Sequence, residues 1–356
     1  METTGTVEHS AALAPTDPRL QTAHRVFRGA LIFNMALTGF WLFAILTHHT
    51  GGFFQHYEIG REVIANIVGA ILFFYVIWGF IWYGIKTLLL KYFVGFTKEE
   101  RRQAFSSRMR APFEVLSFTS RYSERRIRIV DMIGRRGRFI TLGAAGFFYL
   151  YQRVAVEQSP GFATLFLQDN LFDAVITSWV FLAFYYSDGF LAAAFYGPQS
   201  RVMDGVQARA NCLLITTLWT VFKFVMVPLG GRLAHVFPAN HFAAVFALIW
   251  GAYMVTDAMS EIGGALFGKQ TLRVRGIGDV NRKSIGGTVA GFASALVFCL
   301  WVVVGQGMAP AWIGVAVVIA IASTLIELFS PRGTDDFFMA TGNALICLAF
   351  GMLLPY

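Results

Sequence analysis

The apolar residues of this chain arrive in blocks of about 18 to 28 residues, which polar segments separate. A helix rises 1.5 Å per residue, so each block is long enough to cross the roughly 30 Å hydrocarbon core of a bilayer. Hydrophobic residues make up 56% of the sequence and charged residues only 14%, a balance that soluble domains do not show. The sequence therefore predicts an all-α, polytopic integral membrane protein.

About nine blocks qualify as transmembrane helices. They are residues 29–47, 63–90, 138–155, 171–197, 212–229, 242–267, 286–305, 311–329 and 337–355. Residues 91–137 are rich in Lys and Arg, and the positive-inside rule places them in the cytosol. Counting spans outward from this segment places the N-terminus in the cytosol as well. An orientation anchor on anionic lipid, with interfacial helices near Glu99 to Arg108 and Glu124 to Ile133, is favoured over a catalytic role.

These features divide the chain into five parts. They are a cytosolic tail predicted to be disordered (1–28), a two-helix membrane segment (29–90), the basic cytosolic segment (91–137), membrane helices three to five (138–241) and a membrane domain that carries the charged motifs (242–356). The formal net charge of +8 comes from basic residues between apolar blocks. It therefore indicates contact with membrane lipids and no nucleic-acid partner.

The sixth predicted span carries two carboxylates, Asp257 and Glu261. A charge at the centre of a membrane helix costs about 2.5–3.5 kcal/mol on insertion scales, so each needs an explanation. Together with Gly264 and Gly268 they follow i, i+4, i+7, i+11 spacing and share one helix face. Paired carboxylates suit Mg²⁺, and glycines allow close approach of a phosphate or a backbone. The alternative is a carboxylate pair neutralised by Lys or Arg from other helices.

A basic loop follows and ends at the start of the seventh span with Lys283, Ser284, Gly286 and Gly287. Backbone N–H groups and a hydroxyl at a helix N-terminus, beside lysine, can bind a phosphate. The alternative is that these basic residues only precede a helix that enters the membrane from the cytosol.

A third motif lies at the predicted cytosolic end of the eighth span, where Glu327 is followed by a Pro/Gly turn with Asp335 and Asp336. The aspartates either bind a metal or cap the next helix. The predicted topology brings all three motifs to the cytosolic face, which favours a shared site.

The stretches Asp257 through Lys269 and Arg282 through Gly291 resemble the family of dolichol kinases, phytol kinases and CTP-dependent diacylglycerol kinases. Glu327 with Ser330 through Asp336 is similar to a later motif of that family, and the resemblance covers roughly residues 245–356. Two positions depart from the family pattern, because Gly286 stands where Glu is usual and Asp336 where Asn is usual.

The resemblance implies a CTP-dependent kinase for a lipid alcohol, with Mg²⁺ as cofactor, in the cell (inner) membrane with its site facing the cytosol. The alcohol would be a polyprenol, a phytol-like alcohol or diacylglycerol. It implies metal ligands at Asp257, Glu261, Asp335 and Asp336, and catalytic roles for the first three of these and for Glu327, which would order the turn or accept the alcohol proton. It implies nucleotide contacts at Gly264, Gly268, Lys269, Lys283, Ser284 and Gly287.

Three other functions stay open. Phosphatidate cytidylyltransferases are similar over the first two motifs but differ in the third. A transporter would use Asp188 and Lys223, in the fourth and fifth spans, with Asp257 and Glu261 as a relay, although the sequence shows no internal repeat. A membrane scaffold without activity is the third possibility. The sequence leaves the oligomeric state open.

Overall fold

The computed structural model describes residues 77–105, 117–157, 229–275, 280–331 and 334–356, with residues 197–198, 201–202 and single positions near 25–39 and at 225. Helices account for 82% of them. The predicted spans 29–47, 171–197 and 212–229 lie outside the described residues except for those positions, as do Asp188 and Lys223.

Helices α1 to α3 form the first described part. Helix α1 (Trp78–Leu89) continues into a π-helical turn (Leu90–Val94), α2 covers Lys98–Phe105, a 3₁₀ turn covers Ser117–Arg121, and α3 covers Glu124–Glu157. Buried residues of the π-helical turn and of α2, among them Leu90, Ala104 and Phe105, pack on Phe118 and Ile127. This packing joins α2 and the following 3₁₀ turn of the basic segment to α3.

The second part contains the other helices. Helical residues 229–236 lead through a 3₁₀ turn (Ala239–His241) to α4 (Phe242–Phe246), a π-helical segment (Ala247–Gly251) and α5 (Ala252–Phe267). After a β-hairpin come α6 (Ile285–Gly305), α7 (Ala311–Phe329) and α8 (Asp335–Gly351). Their shared core includes Phe246, Tyr253, Cys299, Trp312 and Cys347.

Three described helices are long and apolar enough to cross a membrane by length and composition: Ala239–Phe267, Ile285–Gly305 and Trp312–Phe329. They coincide with the spans predicted at 242–267, 286–305 and 311–329. Helix α8 begins two residues before the predicted span and ends at Gly351, four residues before its predicted end. The chain then turns back, so that Pro355 O accepts a hydrogen bond from Trp312 Nε1 at 3.0 Å.

The predicted boundary between an interfacial helix and the third span is wrong, because α3 runs through it without a break. The sequence predicts Arg135 and Arg136 as loop residues, but both lie inside this continuous helix. Each pairs with a carboxylate of α5, which neutralises its charge there. Lys86 of α1, fully buried, holds α3 in place through a 2.8 Å ion pair with Asp131.

The loop between α5 and α6 forms an antiparallel hairpin of β1 (Thr271–Arg275) and β2 (Val280–Ser284), so the chain is not wholly α-helical. Leu272 lies opposite Lys283 in this pairing. Apolar and basic residues alternate along β1, which is the period of a strand. The hairpin fixes Lys283 at the entrance to α6, directly before the Ser284 N-cap.

Candidate metal and nucleotide site

Three carboxylates from three helices meet at one end of the helical bundle. Oxygen atoms of Asp257 on α5, Glu327 on α7 and Asp335 on α8 all lie within 4.8 Å of one another. Asp257 and Glu327 are buried, and Asp335 is half-buried. Because like charges this close repel strongly in a low-dielectric interior, the three carboxylates need neutralisation by bound protons or by nearby cations.

Lys283 supplies one of those cations. Its Nζ lies 2.5 Å from Glu327 Oε1 and 3.6 Å from an oxygen of Asp335. Burial lowers the pKa of the Lys283 ammonium, but the carboxylates of Glu327 and Asp335 raise it more, so its pKa lies above the ordinary value. Lys283 therefore stays charged between two members of the trio, and we refer to these four side chains as the carboxylate–lysine cluster.

Asp335 and Asp336 occupy the first turn of α8, where negative charge interacts favourably with the helix dipole. The N-cap position itself belongs to Thr334, so the aspartates do not act as the cap. Burial raises the pKa of Asp335, but the charge of Lys283 together with hydrogen bonds to the carboxylate lowers it more, so the pKa lies below its ordinary value. Burial and the negative charges of Asp257 and Asp335 hold the pKa of Asp336 well above its usual range. The two neighbouring aspartates are thus electrostatically different.

A buried polar contact fixes α7 and α8 near the cluster. Ser323, one helical turn before Glu327, donates a 2.9 Å hydrogen bond to Asn343 Oδ1, and Asn343 Nδ2 donates to Ile249 O at 3.3 Å. Ile249 lies in the π-helical segment that precedes α5. These bonds join the three elements that carry Glu327, Asp335 and Asp257.

Glu261 lies one turn after Asp257 on α5 and binds arginines. Its Oε1 accepts from Arg135 at 2.7 Å and from Arg201 at 3.3 Å, and its Oε2 accepts from Arg136 Nε. The group of carboxylates that could hold a metal contains neither Glu261 nor Asp336. The structure thus separates these two predicted metal ligands from the other two.

Arg136 also binds both oxygens of Asp257, with 2.7 Å between Nη2 and Oδ1. Arg135 and Arg136, which the sequence predicts only as part of the orientation anchor, thus also pair with the carboxylates of α5. One feature of the sequence indicates that such basic partners are needed. The C-terminal motifs hold five acidic residues, whose charge a buried site must neutralise.

The glycines of the predicted nucleotide motifs lie at the contact between α5 and α6. A Cβ atom added to Gly287 would lie 2.5 Å from Ser260 O, and one added to Gly268 would lie 2.9 Å from Ser284 Cβ at the start of α6. A Cβ on Gly264 would lie 2.9 Å from Ser284 Oγ. Close packing of two helices therefore accounts for these glycines without a ligand.

Ser284 is the N-cap of α6, and its hydroxyl accepts a 3.0 Å hydrogen bond from Gly287 N–H. A Cβ at Gly286 would lie 3.1 Å from Phe267 O, which explains why a larger residue is unfavourable at this position. Lys269 is exposed beyond the end of α5, and among the described residues no ion pair joins it to the cluster. The structure thus brings Lys283 to the carboxylates but not Lys269.

Comparison with family models, curated proteins and solved structures finds no match for this chain. The geometry is therefore the basis for function. Clustered carboxylate oxygens suit a hard divalent cation, and adjacent Lys and Arg side chains suit phosphate oxygens. The cluster has the chemistry of a metal and phosphate site.

Proposed function

We propose that this protein transfers the γ-phosphate of CTP to the hydroxyl of a lipid alcohol at the cytosolic face of the cell (inner) membrane. The observation that carries the proposal is the carboxylate–lysine cluster of Asp257, Glu327, Asp335 and Lys283, with its oxygens within 4.8 Å. Phosphoryl transfer requires mainly positioning and neutralisation of phosphate charge, which such a cluster provides. The choice of CTP and of a lipid alcohol comes from the motif resemblance.

The cluster fits Mg²⁺. Glu327 is buried, and among the described residues its Oε2 has no hydrogen-bond partner, so one carboxylate oxygen remains for another ligand. The donors are all oxygen atoms, which Mg²⁺ prefers. Asp257, Glu327 and Asp335 would hold the ion, which when bound neutralises charge on the phosphate oxygens.

The chain's own residues complete the site. Lys283 is a point charge that would bind a phosphate oxygen while it orients Glu327 and Asp335. Glu327 would order the turn before α8 or accept the proton of the alcohol. Asp336, whose pKa is raised, resists ionisation and then resembles the neutral asparagine that the similar kinases usually carry. This would explain one of the two departures from the motif.

An apolar groove that includes part of the turn between Glu327 and Asp335 suits the hydrocarbon chain of the alcohol. It lies between α7 and α8, has a volume of about 610 Å³, and is lined by Leu325, Ile326, Phe329, Ser330, Pro331, Phe338, Thr341, Gly342 and Leu345. Ser330 and Pro331 belong to the turn between Glu327 and Asp335. Leu325, Phe329 and Leu345 are exposed on the surface of an apolar helix pair, so the groove is open to lipid. The hydroxyl of a bound alcohol would then lie near the carboxylates.

Filling this groove should affect the alcohol and not the nucleotide. We expect Leu345→Trp to raise the KM for a long-chain alcohol roughly 10-fold and to change the KM for CTP less than about twofold. Val297→Trp is the matched control, since Val297 is exposed on α6 and does not line the groove. Steady-state kinetics in mixed micelles gives both constants. Equal effects of the two substitutions would contradict this placement of the alcohol.

The proposed reaction is tested by the phosphorus atom that leaves CTP with the lipid. Purified protein with Mg²⁺ and a panel of polyprenol, phytol and diacylglycerol should transfer label from γ-labelled CTP and none from α-labelled CTP. Label from α-labelled CTP on phosphatidic acid would assign a cytidylyltransferase instead. No transfer, with ion flux in proteoliposomes that survives Lys283→Ala, would favour a transporter, and neither activity nor CTP binding would favour a scaffold.

A further inference from the structure

Asp257 takes part in two arrangements that compete with each other. Both of its oxygens accept hydrogen bonds from Arg136, and the same carboxylate belongs to the trio that fits a metal. A divalent cation on either oxygen draws on the negative charge that binds the guanidinium and also repels the guanidinium, so the metal and Arg136 compete for Asp257. A metal that binds the trio through Asp257 therefore weakens the hold of Arg136 on that carboxylate.

Arg136 also contacts the site through the Nε side of its guanidinium. Its Nε donates to Glu261 Oε2, while its two terminal nitrogens donate to Asp257. Glu261 is itself held through Oε1 by Arg135 and Arg201. The guanidinium can thus leave Asp257 with its terminal nitrogens and keep the Nε contact, which holds it beside the cluster.

We propose that Arg136 exchanges partners, holding Asp257 until a metal takes that carboxylate and then binding the phosphates of the metal-bound nucleotide. The inference rests on the proposed function and adds a nucleotide-binding residue from α3 to it. A guanidinium presents parallel N–H donors that match a carboxylate and a phosphate equally well. Glu261 is a positioning residue in this account and not a metal ligand.

The exchange makes metal and nucleotide binding interdependent. Arg136 is buried, and removing one of the anionic partners of a buried guanidinium is unfavourable. Metal alone weakens the contact between Arg136 and Asp257 and supplies no new anion, so Arg136 keeps Glu261 but loses part of its charge compensation. Metal with nucleotide provides the phosphate as a new partner, so each ligand should strengthen the binding of the other.

Binding measurements on the purified full-length chain test this proposal with Mn²⁺ alone as the metal probe and CTP as the nucleotide probe. For Arg136→Gln we expect Mn²⁺ alone to bind roughly 10-fold more tightly, because Asp257 loses its competitor, and CTP at saturating Mn²⁺ to bind at least roughly 10-fold more weakly. Substitution of a residue with only a structural role would not strengthen Mn²⁺ binding while it weakens CTP binding.

Three further variants sharpen the test. Arg136→Lys keeps the positive charge but loses the paired N–H donors of the guanidinium. Its Mn²⁺ affinity should therefore stay within about threefold of the wild type while CTP binding weakens. Glu261→Gln should behave in the same way, because Arg136 still holds Asp257 but loses its anchor. Arg128→Gln removes an exposed arginine of the same helix that pairs with Glu124, and it should change neither constant.

The outcomes separate the inference from the function on which it rests. Wild-type protein that binds neither Mn²⁺ nor CTP overturns both. Wild-type protein that binds both, with Arg136→Gln equal to it or weaker for both ligands, overturns the inference alone. A 10-fold or larger loss of Mn²⁺ affinity in Glu261→Gln would also overturn it, because Glu261 would then be a metal ligand.

Discussion

Asp335→Asn is expected to lower the rate of γ-phosphate transfer from CTP to the lipid alcohol by about 10²–10³-fold. Asparagine keeps the shape of the side chain but removes one of the three anionic oxygen donors of the trio and one partner of Lys283. The variant should still fold, because Asp335 is half-buried and precedes the core of α8. Single-turnover transfer of labelled phosphate in detergent micelles measures the effect.

Glu124→Gln is the matched control for this prediction. Glu124 is a carboxylate in the first turn of α3, and it is exposed and paired with Arg128. Exposed pairs of this kind contribute little to stability, so this variant should transfer phosphate at the wild-type rate. Retention of wild-type activity by Asp335→Asn would remove Asp335 from the reaction and leave the cluster a structural ion-pair group.

Gly287→Val should separate α5 from α6 and abolish activity through loss of structure. The new Cβ would meet Ser260 O at 2.5 Å and the Cα of Gly264 at 3.2 Å, and backbone atoms cannot move aside as a flexible side chain can. We expect the apparent melting temperature to fall by about 5 °C or more. Intrinsic-fluorescence melting in detergent, followed by the transfer assay, measures both effects.

Gly305→Val provides the comparison within the same helix. A Cβ at Gly305 meets nothing within 4 Å, so this variant carries the same β-branched side chain without the clash. Its melting temperature should stay close to the wild-type value. If Gly287→Val melts like wild type and only raises the KM for CTP, the glycine serves phosphate approach and the packing account is wrong.

Block length was enough to predict the three apolar helices that correspond to 242–267, 286–305 and 311–329. Helical spacing also predicted that Asp257 and Glu261 share a face of one helix. These inferences succeeded because they depend on local periodicity alone. The contrasting uses of the two carboxylates were not predictable, since they depend on which residues of other helices lie opposite.

The role of Arg136 illustrates this limit. It lies 121 residues before Asp257 and in a run of basic residues that is typical of a cytosolic anchor. Local pattern gives such a residue no partner, and only the packing of α3 on α5 reveals one. The glycines show a second limit, because Gly264 and Gly287 have the same spacing whether a phosphate or a neighbouring helix requires them.

We propose above all that the carboxylate–lysine cluster binds a divalent metal together with a nucleoside triphosphate. The most direct measurement is the electron–nuclear double resonance spectrum of Mn²⁺ bound to the purified protein in the presence of CTP. We predict ³¹P hyperfine couplings from CTP phosphates bound directly to the ion, and their loss in Asp335→Asn. Protein-bound Mn²⁺ without ³¹P coupling, or with coupling that Asp335→Asn leaves unchanged, would contradict the claim.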